Sequence, residues 1–435
     1  MDEKSRGRII LEGFLRTISR IALWKYGPKV IGITGSIGKT STKEAVFAVI
    51  KEQISVRKNE KNYNNEIGIP LTIIGLESPG RHFWGWTKVF LKILALIALP
   101  FRYPKVLILE MGADRVGDIS YLCGFVRPEI GIITDVSGSH LEFFQSLDGV
   151  AKEKEELVKS LPESGLAILN ADNEYVMGMR KKIRARVMTF GFSQEAEMRA
   201  DEPIFNYDDA GEISGISFKL NYQGTTLPVR LSNILARHQI YAVLASICVG
   251  MEMGMNLVAA TRAVQDIIPP RGRMNLIPGI RGSWIIDDTY NASPKSTMAA
   301  LETLGEISAK RRIVVLGDML ELGRDTEAGH EKVADKFLDV RGDIFFAVGT
   351  RMQFAVKRLM ERHFNESNIY CFRNSLEAGK KLEEIVQEGD LVLVKGSQGV
   401  RMEKVVEEVM ANPEKSPELL CRQDKKWKAI PVRDV

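Results

Sequence analysis

Short apolar runs alternate with longer mixed stretches along the chain from residue 29 onward. The runs at 30–34, 106–110 and 130–134 have no polar alternation, which is typical of strands buried on both faces of a sheet. The stretch from Lys39 to about Lys51 predicts the helix that follows the first strand. This order indicates a parallel sheet with crossover helices.

The pattern changes between residues 187 and 231, where Thr, Phe and Tyr alternate with turn clusters. We expect there a small antiparallel sheet packed beside the parallel one. The paired prolines Pro269 and Pro270 end the preceding helix and mark a domain boundary.

Beyond the prolines, further apolar runs predict a second, Rossmann-like doubly wound domain; they lie at 284–287, 313–316, 344–348, 369–372 and 391–394. The predicted fold is therefore α/β. It comprises an N-terminal amphipathic helix (1–28), a central domain (29–270) with an apolar insertion at about 78–103, and a C-terminal domain (271–435).

Composition narrows the possible classes of protein. Apolar residues make up 45% and charged residues 27% of the 435 residues, so the chain can bury a core. A net charge of +4 is too small for a protein that coats nucleic acid. The four cysteines are widely spaced, which argues against disulfides and predicts a cytoplasmic protein. The apolar segments at 6–25 and 89–101 contain charges or are too short to span a bilayer.

A glycine-rich turn joins the first strand to the first helix. Gly35 and Gly38 allow backbone N–H groups to face an anion at the helix N-terminus. Lys39 can reach β- and γ-phosphates, and the Thr40 hydroxyl can ligate Mg²⁺. The strict phosphate-loop pattern would have glycine where this chain has Ile33. The motif nevertheless predicts phosphate binding.

Other polar residues follow predicted strands, where open α/β sheets bind ligands. Glu110 ends a buried strand and can hold Mg²⁺ opposite Thr40, although a solvated loop carboxylate is the alternative. His140 lies in a predicted loop, and its sequence context alone predicts a surface residue. The loops at 287–294, 317–323 and 395–399 together indicate a binding face, while each alone could be a plain turn.

Nine segments, in order, resemble the Mur ligase family, whose members use ATP to join amino acids or peptides to a carboxylate. The likeness runs from about residue 29 to 408, and its segments lie at 32–42, 62–72, 110–119, 140–157, 170–173, 272–275, 287–294, 317–323 and 392–405. Those at 62–72 and 317–323 favour the branch that adds D-alanyl-D-alanine.

The resemblance implies roles for particular residues. ATP is expected to bind the first loop, at Gly35, Ser36, Gly38, Lys39, Thr40 and Ser41. Arg273, Asp288 and Asn291 are implied to lie at the nucleotide. The implied Mg²⁺ ligands are Thr40, Glu110, His140 and Lys154, with Lys154 carbamylated. The implied substrate-binding residues are Asn64 and Asn65 for a nucleotide-sugar and Asp318, Lys395 and Ser397 for the incoming amine.

The implied reaction is amide-bond formation through an acyl phosphate, which adds D-alanyl-D-alanine to UDP-N-acetylmuramoyl-tripeptide. The protein is expected to be a monomer, and its expected partners are these small-molecule substrates. Two alternatives remain open. One is a ligase of the same fold that acts on another carboxylate, poly-glutamate-like or lipid-linked. The other is a non-catalytic, membrane-associated nucleotide-binding protein.

The chain departs from the family pattern in three places. Gln239 and Ala242 stand where the family uses asparagines around adenine. About 28 residues precede the first strand, too few for the family's uridine-nucleotide-binding domain. The insertion at 78–103 predicts either a helix packed against residues 6–25 or, with those residues, peripheral contact of residues 6–25 and 82–102 with the inner face of a membrane.

Overall fold

The computed structural model describes residues 6–60, 63–78, 80, 83–138, 144, 146–209 and 211–434. Two sheets dominate it, one before and one after the segment at 269–274, as the alternating pattern predicts. The α/β fold class predicted from the sequence is confirmed.

The first sheet has nine strands in the order β2-β3-β1-β4-β5-β6-β7-β8-β9. Neighbours from β2 to β7 are parallel, and the β7–β8 and β8–β9 pairs are antiparallel. The strands are β1 (Lys29–Thr34), β2 (Val56–Lys58), β3 (Val106–Glu110), β4 (Ile130–Ile133), β5 (Leu166–Asn170), β6 (Arg186–Gly191), β7 (Met198–Tyr207), β8 (Ile213–Tyr222) and β9 (Thr225–Leu231). The antiparallel strands therefore extend the parallel sheet, because β7 pairs with the end of β6, instead of forming a separate sheet beside it.

Helices cover both faces of this sheet, and the central strands β1, β3, β4 and β5 are buried at nearly every residue. They are α1 (Arg6–Tyr26), α2 (Lys39–Ile50), α3 (Gly68–Ile74), α4 (Phe83–Ala98), α5 (Asp118–Val126), α6 (Leu147–Lys159), α7 (Glu174–Gly178), α8 (Arg237–Glu252) and α9 (Leu257–Ala263).

The second sheet has the order β10-β11-β15-β12-β13-β14, parallel except for β10 at its edge. Its strands are β10 (Asn275–Pro278), β11 (Trp284–Asp288), β12 (Arg311–Gly317), β13 (Ile344–Val348), β14 (Ile369–Phe372) and β15 (Asp390–Lys395). Its helices are α10 (Pro294–Glu306), α11 (Thr326–Asp339), α12 (Gln353–Glu361), α13 (Ser375–Ile385), α14 (Glu403–Val409), α15 (Ser416–Leu419) and α16 (Lys425–Lys428). The carboxyl ends of β11, β12 and β15 bring their three polar loops to one edge.

The helices α1 and α4 pack against each other and against the first sheet's helices. Leu15 and Ile18 of α1 share one buried cluster with Val89 and Ile93 of α4. Near the C-terminus of α1, the Lys25 ammonium donates to the carbonyls of Leu96, Ile97 and Leu99 at the C-terminal end of α4. A cation is favourable there because of the helix dipole. No helix within the described residues is long and apolar enough to cross a membrane.

The burial of α1 predicts which of its residues stabilise the fold. We expect Leu15→Ala to lower the free energy of unfolding by about 2–5 kcal/mol, because Leu15 is fully buried and a cavity would remain. The exposed Ile10→Ala on the same helix is the matched control, with an expected change within about 0.5 kcal/mol. Urea unfolding measures both, and equal effects would contradict the packing of α1 on the core.

Candidate functional site

The turn between β1 and α2 is held in place by the loop after β4. The Ser36 backbone N–H donates to the carbonyl of Asp135 (2.8 Å), and the Ser36 hydroxyl donates to that of Ser137 (3.0 Å). Gly38 has a left-handed backbone (φ 87°) at the start of α2. A side chain at Gly35 would collide with the Thr134 hydroxyl, so the close approach of the two loops requires glycine there. The result is a fixed cradle of backbone N–H groups at a helix N-terminus.

Lys39 opens α2, and its ammonium donates to the carbonyl of Gly35 (2.5 Å). Burial lowers its pKa from the ordinary lysine value, and the nearby Glu110 carboxylate partly offsets this. A lysine at the start of a helix, beside a cradle of backbone N–H groups, is suited to binding an anion. Lys39 and Thr40 both line a polar cavity of about 460 Å³, called here the acceptor cavity.

Glu110 also lines the acceptor cavity, from the end of β3. Its Oε1 faces the Asn64 amide (3.5 Å), and its Oε2 lies 3.6 Å from the Lys43 ammonium without a hydrogen bond from any described residue. A buried carboxylate oxygen without a hydrogen-bond donor, in the same cavity as Thr40, is a donor set that fits Mg²⁺. No cluster of three or more His, Cys, Asp or Glu side chains arranged for a metal occurs among the described residues.

Lys154 lies on α6 and is buried, and no hydrogen bond or ion pair joins its side chain to another described residue. Burial, together with the Lys39 charge and against the Glu153 carboxylate, lowers its pKa to about 7. A lysine with this pKa is largely the neutral amine at pH 7.5, which is the form that reacts with CO₂. His140, the remaining predicted metal ligand, lies outside the described residues.

A second cavity of about 250 Å³, called here the nucleotide cavity, adjoins the acceptor cavity. Ile37, Gly38, Arg273 and Ser296 line both cavities. Aromatic and aliphatic side chains on the central-domain side, including Phe190 and Ala242, give the nucleotide cavity an apolar wall. Such a chamber beside a phosphate cradle suits the base of a nucleotide.

Gln239 and Ala242 line the nucleotide cavity at the positions where the sequence departs from the family. The Gln239 side-chain oxygen accepts from the backbone N–H groups of Leu235 and Ala236, and its amide donates to the carbonyl of Arg273 (3.0 Å). The polar atoms of Gln239 thus join α8 to the interdomain segment.

His238 was not among the predicted site residues, yet it is a wall residue of the nucleotide cavity. Burial lowers its pKa to about 4, with the Asp288 carboxylate opposing the shift. The imidazole is therefore neutral at physiological pH and can offer one donor and one acceptor. The only signal in the sequence is its place beside Gln239, which periodicity does not distinguish from an ordinary core histidine.

The C-terminal domain contributes a buried ion pair to the nucleotide cavity. The Lys395 ammonium donates to Asp288 Oδ2 and to the carbonyl of Asn291 (2.9 Å), and burial lowers the Lys395 pKa. Lys395, which the resemblance places near the incoming amine, thus lines the nucleotide cavity next to Asp288 and contacts Asn291 of the acceptor cavity. Arg273 borders both cavities with its guanidinium 4.2 Å from the Tyr290 ring centroid.

The residues predicted for substrates are divided by the structure. Asn64, Asn65 and Ser397 line the acceptor cavity, and the Ser397 hydroxyl accepts from the backbone N–H of Leu320 (2.8 Å). Asp318 lines neither cavity. Its carboxylate accepts from the backbone N–H groups of Arg351 and Met352, so it anchors the segment before α12.

Two further contacts were missed by sequence reasoning. Lys295 at the start of α10 forms an ion pair with Asp135 of the central domain, joining the two domains across the nucleotide cavity. The buried Arg422 donates to the carbonyls of Thr289 and Tyr290 and pairs with Glu403. Lys295 directly follows the segment at 287–294, and Arg422 lies outside all nine segments, so neither is itself a motif residue.

A phosphate cradle on one α/β domain and strand-end loops on another, facing each other across joined cavities, define a two-domain nucleotide-binding protein. Residues 91–250 match the Mur ligase middle domain, and residues 272–398 match the Mur ligase glutamate ligase domain. The chain belongs to the Mur ligase family, and the resemblance inferred from the sequence is confirmed.

Named relatives support this assignment. The chain is 28% identical over 408 residues to the UDP-N-acetylmuramoyl-tripeptide–D-alanyl-D-alanine ligase of Rickettsia prowazekii, covering 92% of this chain and 82% of that protein. It is 27% identical over 400 residues to the protein of that name from Bacillus subtilis, covering 92% and 79%. The structure of MurF ligase from Thermotoga maritima in complex with ADP has a TM-score of 0.75 and 25% identity, covering 94% of this chain and 84% of that one.

The depressed pKa of His238 predicts a pH dependence of stability. In the unfolded chain histidine takes up a proton near pH 6.5, whereas folded His238 resists protonation down to about pH 4. The unfolded state thus binds more protons between these values, and stability falls as the pH drops from 6.5 to 4. For a shift of this size the loss is about 3 kcal/mol.

We expect His238→Asn to remove this component of the acid sensitivity, measured by urea unfolding at several pH values. His363→Asn, at an exposed position, is the control and should retain the wild-type slope. Identical slopes for wild type and His238→Asn would show that His238 is not buried in its neutral form.

Proposed function

We propose that this protein is an ATP-dependent ligase that adds D-alanyl-D-alanine to UDP-N-acetylmuramoyl-tripeptide, a step of peptidoglycan precursor synthesis. The observation that carries the proposal is the continuity of the nucleotide and acceptor cavities through Arg273, with the phosphate cradle between them. The named relatives support the choice of substrates.

The proposed reaction has two steps. The tripeptide carboxylate attacks the γ-phosphorus of ATP, forming an acyl phosphate and releasing ADP. The amine of D-alanyl-D-alanine then attacks the acyl carbon, forming the amide bond, expelling phosphate and losing a proton. The first step needs close positioning of two anions, which costs free energy unless cations surround them.

Two cationic side chains, Lys39 and Arg273, lie where the triphosphate of ATP is proposed to bind. Lys39 lies at the cradle, and Arg273 is at the junction of the two cavities, where its Nε–H donates to no described residue. We infer that Lys39 contacts the β- and γ-phosphates, while Arg273 bridges them to the C-terminal domain. Thr40, Glu110, His140 and a carbamylated Lys154 would hold Mg²⁺, which would supply further neutralisation of phosphate charge.

The second step requires the amine to reach the acyl carbon from the C-terminal side. Asn291, Ser397 and the backbone around Leu320 line that side of the acceptor cavity. We propose that these groups orient the dipeptide and that Asn64 and Asn65 orient the nucleotide-sugar peptide opposite. The Lys295–Asp135 pair holds the two domains together in the arrangement that brings these sides face to face.

The first test is phosphate release from ATP with Mg²⁺ and UDP-N-acetylmuramoyl-tripeptide, with and without D-alanyl-D-alanine. We expect release to require both substrates and to fall at least about a hundredfold in Lys39→Ala, because an electrostatic contact to the transferring group is lost. The exposed Lys51→Ala, at the other end of α2, should retain wild-type activity. Release that is independent of the nucleotide-sugar would redirect the search to lipid-linked or other carboxylates.

A second test addresses Lys154 directly. With ¹³C-labelled bicarbonate at pH 7.5 we expect a carbamate carbon resonance that disappears in Lys154→Met. The resonance should weaken at pH 6, because a lysine with a pKa of about 7 is then mostly protonated and unreactive. Lys152→Met, at the exposed position two residues earlier, should keep the signal. No difference between the two variants would exclude a Lys154 carbamate.

A further inference from the structure

The face of α4 that points away from the core is apolar. Its buried side carries Val89, Ile93 and Leu96, which pack in the cluster shared with α1. The opposite side, continuing past the end of the helix, exposes large apolar side chains at Trp84, Phe90, Leu91, Leu94, Ile97, Leu99 and Phe101. A contiguous exposed patch of this kind on a folded protein marks a surface that contacts something else.

The first helix completes this surface. The Phe14 and Phe90 rings lie 5.4 Å apart, and the Tyr26 hydroxyl donates to the carbonyl of Leu96 (2.8 Å). The two helices therefore run side by side in the same direction. Ile9, Ile10 and Trp24 of α1 are also exposed. We call α1 together with residues 84–102 the platform.

Basic residues surround the apolar patch. The platform contains eight basic residues and one acidic residue, a net charge of +7, whereas the whole chain carries +4. The remainder of the chain is thus slightly acidic, and the positive charge is concentrated at the platform. Among the exposed basic residues are Lys88, beside the apolar stripe, and Arg102, beyond its end.

We propose that the platform docks parallel to the surface of an anionic lipid bilayer. Its apolar stripe would enter the boundary between headgroups and acyl chains, and its exposed basic residues, Lys88 and Arg102 among them, would face anionic headgroups. The tryptophans suit the interfacial zone, and α4, with 16 residues, is too short to span the bilayer. A second copy of the chain fits this surface poorly, because two platforms of +7 each would repel one another.

Docking of the platform would also fix the orientation of the acceptor cavity relative to the bilayer. α3 packs against α1 and begins at Gly68, shortly after Asn65 of the acceptor cavity. The platform is therefore joined through one short buried helix to the acceptor side of the cleft. This proposal is independent of ligation, since lipid binding is measured without ATP or substrates.

The test is co-sedimentation of the full chain with vesicles at about 0.1 M salt, where surface charge is only partly screened. Vesicles of phosphatidylcholine with about one third phosphatidylglycerol are compared with pure phosphatidylcholine. We expect binding to the anionic vesicles and at least about tenfold weaker partitioning for Leu91→Glu/Leu94→Glu, which places charge in the apolar stripe. Lys88→Gln and Arg102→Gln should each weaken binding about fivefold.

The matched control is Met360→Glu/Leu376→Glu, two exposed apolar residues on helices of the C-terminal domain. They are 46% and 44% exposed, against 62% and 63% for Leu91 and Leu94, and the charge change is the same. We expect this control to bind like the wild type. Thermal unfolding and ADP binding establish that both double variants are folded.

Several results would overturn the proposal. These are no binding to anionic vesicles, equal binding by Leu91→Glu/Leu94→Glu, or equal weakening by the control pair. Light scattering measures the oligomeric state independently of lipid. A dimer that dissociates in Leu91→Glu/Leu94→Glu, without lipid binding by the wild type, would assign the platform to a second copy of the chain.

Discussion

The site exists because a short segment between the domains is hydrogen-bonded to both of them. Gln239 of α8 donates to the carbonyl of Arg273, and the backbone N–H of Tyr290 donates to the carbonyl of Gly272. Gly272 has φ 69°, and a side chain there would lie 2.9 Å from that same N–H, so glycine is required for the approach. These contacts set the second sheet's strand-end loops opposite the phosphate cradle, and every cavity described above depends on that placement.

Around this junction lie three lysines whose side chains are withdrawn from water. Burial lowers the pKa values of Lys39, Lys154 and Lys395. Lys395 is compensated by Asp288, whereas Lys154 has no paired carboxylate among the described residues. Such groups cost stability in the free protein, and their cost is offset when polyphosphate or a carbamate supplies negative charge. Residues that destabilise the fold in this way are typical of functional sites.

Most of the fold was predictable because strands of a buried parallel sheet have continuous apolar sequences. The strands β1, β3 and β4 and those of the C-terminal domain lie where such runs occur. The continuation of the sheet through β7 was not predictable, since a parallel pairing of two residues at the end of β6 leaves no periodic signal. The loop motif placed Lys39 and Thr40 together with Glu110, because strand ends converge. It could not place Asp318, whose carboxylate turns to the backbone of Arg351, nor Arg422, which reaches the site from the far end of the chain.

The packing interpretation of the apolar insertion describes the inner face of α4, and the proposed lipid contact concerns its outer face. A helix that only packed internally would present polar residues outward, and one that only met lipid would lack buried partners. Here Ile93 is buried against the core while Leu94, the next residue, is exposed. Burial on the inner side fixes the position of α4 without using the outer side, and the Lys25 contacts hold its end. Apart from Phe90, whose ring packs on Phe14, the exposed part of the outer stripe has little to stabilise within the chain, and the proposed lipid contact would account for its apolar composition.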